Sequence, residues 1–315
     1  MNIVILDGNG LNPGDLNWNW LNKYGTFTCY DRTTGEDLTI QRIGNAEIVI
    51  LNKTPITESI LNACPSIKLI CILATGYNVV DCAAATKRKI PVCNVPGYGT
   101  NAVAQFTFSL LLELCNQVGL HSASVHAGDW TRCPDFCYWK TPQMELYGKT
   151  MGIIGYGSIG KAVGRIAEAM GMRILVHSRT HHPGTDYVSL DTLLSQSDVV
   201  TLHCPLFPET ANLINRETIA KMKDGAILLN TARGPLIDEQ AVADALRFGK
   251  LRGAAVDVAS REPLNSDSPL LTAPNCIITP HIAWAPLEAR QRIMDITESS
   301  IHAYLNGAPQ NVVNL

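Results

Sequence analysis

A histidine, a glutamate and an arginine can together move a proton and hold a carboxylate. This 315-residue chain places one of each in a polar break near an apolar run. His281 stands in Thr279-Pro280-His281-Ile282-Ala283-Trp284, Glu262 in Arg261-Glu262-Pro263-Leu264, and Arg233 in Asn230-Thr231-Ala232-Arg233-Gly234-Pro235. An imidazole exchanges protons near neutrality. A guanidinium presents a planar fork that suits a carboxylate. Alone, such a histidine is more often a hydrogen-bonded core residue, and such an arginine a surface residue in a turn. It is the combination at strand ends that points to acid–base chemistry.

A second constellation points to a dinucleotide. Gly155, Gly157 and Gly160 lie between an apolar run, Met151 to Ile154, and a helical pattern carried by Ile159, Val163, Ile166, Ala167 and Met170. In such a unit the first glycine makes a tight turn and the second lets backbone approach a pyrophosphate. The third lets helix and strand pack closely. The helix N-terminus offers free N–H groups to the phosphates. About 20 residues later an acidic residue is expected to hold the adenosine ribose. Here Ser178 occupies that place and Arg179 follows. Loss of the carboxylate removes repulsion against a 2′-phosphate, and an arginine beside a hydroxyl can bind one. This favours NADP(H), with NAD(H) as the alternative.

The elements that must position these residues are legible as alternation. Strand-like runs at 2–6, 47–51, 68–73, 90–93, 151–154, 172–177, 198–203, 226–230, 253–258 and 276–279 are separated mostly by helical patterns. That order predicts α/β architecture with parallel sheets. The expected fold is a Rossmann-type doubly wound sheet domain plus a discontinuous, flavodoxin-like α/β substrate domain. The expected boundaries are 1–100 for the first part of the substrate domain, 101–285 for the dinucleotide domain, and 286–315 for the returning C-terminal part. A helix from Thr100 to about Val118 connects them, and another covers 287–305.

Bulk properties narrow the class. With 46% hydrophobic and 17% charged residues and a net charge of −3, nothing favours nucleic acid or an anionic membrane. Val103 to Leu114 is too short and too interrupted to span a bilayer. The N-terminus reads as a strand rather than a signal peptide, so a cytoplasmic location is expected. The ten cysteines are scattered and only Cys133 and Cys137 are close, so free thiols and no metal site are expected.

The motifs resemble the D-isomer-specific 2-hydroxyacid dehydrogenase family. The similar pieces are the glycine loop, Leu202-His203-Cys204-Pro205-Leu206 with Pro208-Glu209-Thr210, Asn230 to Asp238, Gly253 to Leu264, and Thr279 to Ala283. The 19-residue separation of Glu262 and His281 also matches. Ala74 to Asp81 and Asn94 to Thr100 are similar to first-domain signatures. Asp135 to Lys140, His281 to Trp284 and Glu288 to Arg292 look most like the glycerate dehydrogenase/hydroxypyruvate reductase branch.

The resemblance implies roles. His281 would give a proton to the 2-keto oxygen, and Glu262 would orient it and stabilise its positive charge. Arg233, with backbone N–H groups at Thr75 and Gly76, would hold the substrate carboxylate. Asp257 would meet the nicotinamide carboxamide. The cofactor-lining set would be Thr100, Gly155, Tyr156, Gly157, Ser158, Ile159, Gly160, Ser178, Arg179, Thr180, Cys204, Pro205, Thr231, Ala232, Asp257 and His281. The implied reaction is NAD(P)H-dependent, reversible reduction of a small 2-keto acid, hydroxypyruvate or glyoxylate, to the D-2-hydroxy acid. Pyruvate or a bulkier keto acid is the alternative substrate. A dinucleotide-sensing, corepressor-like binding protein is the alternative class. The aromatic cluster Trp130, Phe136, Tyr138 and Trp139 is either local packing or, as in the family, an arm embracing a second subunit in a homodimer.

Overall fold

The apolar runs become two parallel sheets. The computed structural model describes residues 1–181 and 185–314 and divides into two compact units, Met1–Tyr98 with Ala285–Leu315, and Gly99–Trp284.

The first unit contains β1 (Asn2–Ile5), β2 (Thr26–Cys29), α1 (Glu36–Ile43), β3 (Ile48–Leu51), α2 (Glu58–Ala63), β4 (Leu69–Ile72), α3 (Cys82–Lys87) and β5 (Val92–Cys93). Its strand order is β2-β1-β3-β4-β5, all parallel, which is the flavodoxin-like order. β3 and β4 are buried along their whole length, which is why they read as unbroken apolar runs. The edge strand β2, Thr-Phe-Thr-Cys, is mostly exposed and carries no apolar run, so the sequence pattern does not reveal it. Thr57 and Asp81 cap α2 and α3 by accepting from Ile60 N–H and Ala84 N–H.

The second unit begins with α4 (Thr100–Asn116) and α5 (Val118–His126). The helix expected from Thr100 to about Val118 ends at Asn116, and Gln117, with φ +45, separates it from α5. There follow β6 (Thr150–Ile154), α6 (Ser158–Ala169), β7 (Arg173–His177), α7 (Leu190–Gln196), β8 (Val199–Leu202), α8 (Arg216–Lys221), β9 (Ala226–Asn230), α9 (Glu239–Arg247), β10 (Leu251–Val256) and β11 (Cys276–Ile278). The strand order is β11-β10-β9-β8-β6-β7. Beyond β7 a single parallel bridge, Val176 to Tyr187, marks the place of a shortened further strand. Counting it restores the doubly wound order of a dinucleotide-binding sheet. Alternate residues feed two cores. Leu228 and Val256 pack with α7–α9, whereas Ile227, Leu229 and Ala255 pack with α4 and α6.

The last helix, α10 (Leu287–Leu305), belongs to the first unit although about 190 residues of chain separate it from β5. Arg290 ties it down, donating to Asp15 through both terminal nitrogens (2.7 and 2.6 Å) and to Leu11 O (3.0 Å). The guanidinium holds the Asp15 carboxyl below its ordinary value. Among the described residues no helix is long and apolar enough to cross a membrane.

Ile293 on α10 is fully buried. Ile293→Ala is expected to cost about 2–5 kcal/mol through the cavity it leaves, read as a lower denaturant midpoint. An unchanged midpoint would mean that α10 does not help to stabilise the first unit.

Candidate active site

The glycine turn is built by steric necessity. Gly155 has φ +92, and a Cβ there would collide with the backbone of His203 and Cys204. A Cβ at Gly160 would run into Gly155 O, which is the close helix–strand contact expected of the third glycine. Around Gly157 the space is open, and this residue precedes the first turn of α6. Two hydrogen bonds fix the turn between neighbouring strands: Gly155 N–H donates to His177 O (2.8 Å) and His203 N–H to Ile154 O (2.8 Å). A cradle filled by backbone at Gly155 and Gly160 but open at Gly157 fits a pyrophosphate over a helix N-terminus. Tyr156 lies against Gly164 of α6, Ser158 opens that helix, and Ile159 is half-buried.

The flanking strand ends carry other expected residues. After β7, Ser178 is half-buried and Arg179 and Thr180 are exposed. After β8, Cys204 is half-buried, Pro205 is exposed, and burial pushes the Cys204 thiol up, keeping it protonated. His203 shares a hydrogen bond with Thr201 Oγ1 (2.9 Å), and surrounding protein pushes it down to about 3, so it stays neutral. After β9, Thr231 Oγ1 lies 3.0 Å from Thr107 Oγ1 in a buried pair.

Arg233 is placed by a residue that spacing did not single out. Asn230 is fully buried at the end of β9. Its amide donates to Arg233 O (2.9 Å) and accepts from Ala232 N–H (3.1 Å), closing the turn on both sides. The Arg233 side chain is left exposed. Gly234 follows because any Cβ would overlap the backbone of Ala259.

His281 and Glu262 meet as the pattern predicts. His281 Nδ1 lies 2.7 Å from Glu262 Oε2, and Ala259 N–H donates to Glu262 Oε1 (3.2 Å). The side chains are 32% and 41% exposed, so the pair is accessible to a small molecule. His281 has φ +56, a left-handed backbone that a branched or bulky side chain rarely adopts. Its carbonyl accepts from Trp284 Nε1 (2.8 Å) and its N–H donates to Thr279 O (3.0 Å).

Asp257 carries a structural load that the sequence does not disclose. It is 1% exposed. Its Oδ1 accepts from Thr279 Oγ1 (2.6 Å) and Ile282 N–H (2.9 Å), and its Oδ2 from Ala283 N–H (2.8 Å). The carboxylate therefore anchors the loop on both sides of His281. Asn230, Thr279 and Trp284 are the supporting residues missed by spacing. A polar residue within an apolar strand end was the available signal for the first.

Thr75 and Gly76 belong to the first unit, after β4; Thr75 Oγ1 donates to Val95 O (2.8 Å) and Asn94 donates to Thr75 O (2.7 Å). Thr100 opens α4 in the second unit. Among the described residues no group of three or more His, Cys, Asp or Glu side chains is arranged to hold a metal.

Comparison with known proteins decides the family. The family described as D-isomer specific 2-hydroxyacid dehydrogenase, NAD binding domain, matches residues 108–283. The chain belongs to the D-isomer-specific 2-hydroxyacid dehydrogenases. It is 54% identical to a hydroxypyruvate reductase of Blautia hydrogenotrophica, covering 100% of both chains. It is 41% identical to a glycerate dehydrogenase of Methylorubrum extorquens, over 99% of this chain and 98% of the other. Among solved structures, an acyclic imino acid reductase in complex with NADPH and D-Arg superimposes with a TM-score of 0.86 at 30% identity, covering 99% of this chain and 100% of that one. Membership makes this dehydrogenase an oxidoreductase with an NAD-binding domain, acting on 2-keto and 2-hydroxy acids.

In this dehydrogenase Asp257→Asn is expected to place an amide N–H₂ against one of the donors that now meet a carboxylate oxygen. A loss of about 2 kcal/mol or more follows from buried groups left unpaired. Equilibrium unfolding measures it, and wild-type stability in the variant would remove Asp257 as the anchor.

Proposed function

We propose that this dehydrogenase reduces small 2-keto acids, hydroxypyruvate and glyoxylate first, with His281 as the proton donor. The observation that carries the proposal is the short His281 Nδ1–Glu262 Oε2 contact on a loop held by Asp257. With Nδ1–H donating to Glu262, Nε2 is the nitrogen free to give a proton to the 2-keto oxygen, and to take it back in the reverse direction. Glu262 stabilises the imidazolium and fixes the ring plane. Arg233 holds the substrate carboxylate and polarises the adjacent carbonyl. When bound, the reduced nicotinamide supplies the hydride that completes C2 of the hydroxy acid. The neutral His281 left behind is reprotonated from solvent, to which it is partly open.

The relatives support this choice of substrate: a hydroxypyruvate reductase and a glycerate dehydrogenase match this chain end to end, and several glyoxylate reductases also match. For the cofactor, NADP(H) is favoured over NAD(H), because Ser178 and Arg179 follow β7 where a ribose-binding acid would stand. Among structural neighbours one is a complex with NADPH and two are complexes with NAD, so the reading rests on Ser178 and Arg179. Asp257 would turn the remaining capacity of its carboxylate to the nicotinamide carboxamide. A homodimer is proposed from the aromatic segment, where Trp130, Phe136 and Trp139 are 52%, 89% and 70% exposed, more than local packing leaves open. Ten unpaired cysteines suit the reducing cytoplasm.

His281→Ala is expected to lower kcat by about 10²–10⁴-fold while NADPH still binds. Near-normal turnover would end the acid–base assignment. The substrate reading is tested by initial rates of cofactor oxidation with hydroxypyruvate, glyoxylate and pyruvate, each with NADPH and NADH. Hydroxypyruvate with NADPH should give the highest kcat/KM. A clear preference for pyruvate or a bulkier keto acid would replace the substrate, and a preference for NADH would replace the cofactor.

A further inference from the structure

Arg179 does not stand alone at the end of β7. Its guanidinium carbon lies 4.8 Å from the centroid of the Phe207 ring, in the geometry of a cation over an aromatic face. Phe207 comes from the other side of the glycine turn. It is three residues beyond Cys204, whose backbone abuts Gly155, while Gly155 N–H reaches the end of β7 at His177 O. The ends of β7, β6 and β8 thus converge, and the side chains of the two outer loops meet.

The ring is set in a clamped turn. Phe207 N–H donates to Thr210 Oγ1 (2.7 Å), and that hydroxyl donates to Pro205 O (2.9 Å). Thr210 N–H and Ala211 N–H both donate back to Phe207 O (3.0 Å each). Phe207 is 39% exposed, so its ring stands at the surface where the Arg179 guanidinium lies over it. An arginine at an exposed strand end loses much rotamer freedom when it binds an anion. Contact through its face reduces that loss and leaves the N–H edge free.

We propose that Phe207 is a positioning residue for NADP(H) recognition: its ring holds the Arg179 guanidinium ready for the ribose 2′-phosphate. The inference rests on the NADP(H) reading above. It assigns Phe207 no contact with the reacting atoms.

The test is equilibrium binding to the apoprotein, with Kd for NADPH and NADH read from nicotinamide fluorescence. The variants are Arg179→Ala, Phe207→Ala, Phe207→Tyr and the Arg179→Ala/Phe207→Ala double. Phe207→Ala should raise the NADPH Kd by about 2–5-fold, the size of an exposed cation–aromatic contact, and leave the NADH Kd unchanged. Phe207→Tyr should restore wild-type NADPH binding, and Phe207→Ala should have no effect once Arg179 is gone. Equal weakening of both cofactors would make the ring a plain adenosine wall and overturn the proposal, as would an effect that persists without Arg179. If Arg179→Ala weakens NADPH but Phe207→Ala does not, only the positioning role falls. If Arg179→Ala leaves NADPH binding unchanged, the NADP(H) reading falls with it.

Discussion

The buried carboxylate of Asp257 is the constraint on which the reactive end of the second sheet depends. It lies just past β10, and its three accepted hydrogen bonds all come from the loop that follows β11. Its own N–H donates to Asn230 O, at the end of β9 (2.9 Å). Asn230 in turn closes the turn that carries Arg233. One chain of hydrogen bonds therefore links the ends of three adjacent strands and sets the backbone from which Arg233 and His281 project. Charged acceptors bind N–H and O–H donors more strongly than neutral ones, and burial raises the cost of losing any of them. A carboxylate is suited to this place because it alone can accept from all three donors without presenting a donor of its own.

The same sheet separates two tasks by its winding. Strand order reverses between β6 and β8, and in open α/β sheets the crevice beyond that reversal is where ligands bind. The glycine turn sits at this reversal, pinned to β7 on one side and packed on the β8 loop on the other. The strand outside β7 is reduced to one bridge at Tyr187. Among the described residues, Arg179 and Thr180 are exposed beside that bridge. Arg233, Asp257 and His281 are collected on the other wing, after β9, β10 and β11. The glycine turn and the residues around His281 thus follow different strands of one sheet.

Much of this was legible in the residues, for identifiable reasons. Strands covered by helices on both faces must be apolar throughout, so β3, β4, β8 and β9 stand out as runs. The glycine turn is legible because Gly155 and Gly160 each answer a separate steric demand, while Gly157 leaves open space before the first turn of α6. What stayed hidden is what spacing does not encode. β2 is held by pairing at an edge rather than by burial. α5, which follows the left-handed Gln117, buries only Ser124 and so shows no apolar stripe. The anchoring role of Asp257 stayed hidden because a buried acid shows its type in the sequence but not its hydrogen-bond partners. Trp284 was visible only as part of a motif, and its indole turns out to hold the His281 carbonyl.

The His281 loop is held by the partners of its backbone rather than by the His281–Glu262 pair. A histidine–carboxylate pair as open as this one, 32% and 41% exposed, contributes at most about 1 kcal/mol to folding. The left-handed backbone at His281 costs about as much or more, on the order of 1–2 kcal/mol. The pair therefore cannot be what keeps the loop in its conformation. That conformation is imposed from below, by Asp257 on the residues flanking His281 and by Trp284 on its carbonyl. Three hydrogen bonds to the buried Asp257 carboxylate hold the loop on either side of this left-handed residue, whose ring meets Glu262 through Nδ1.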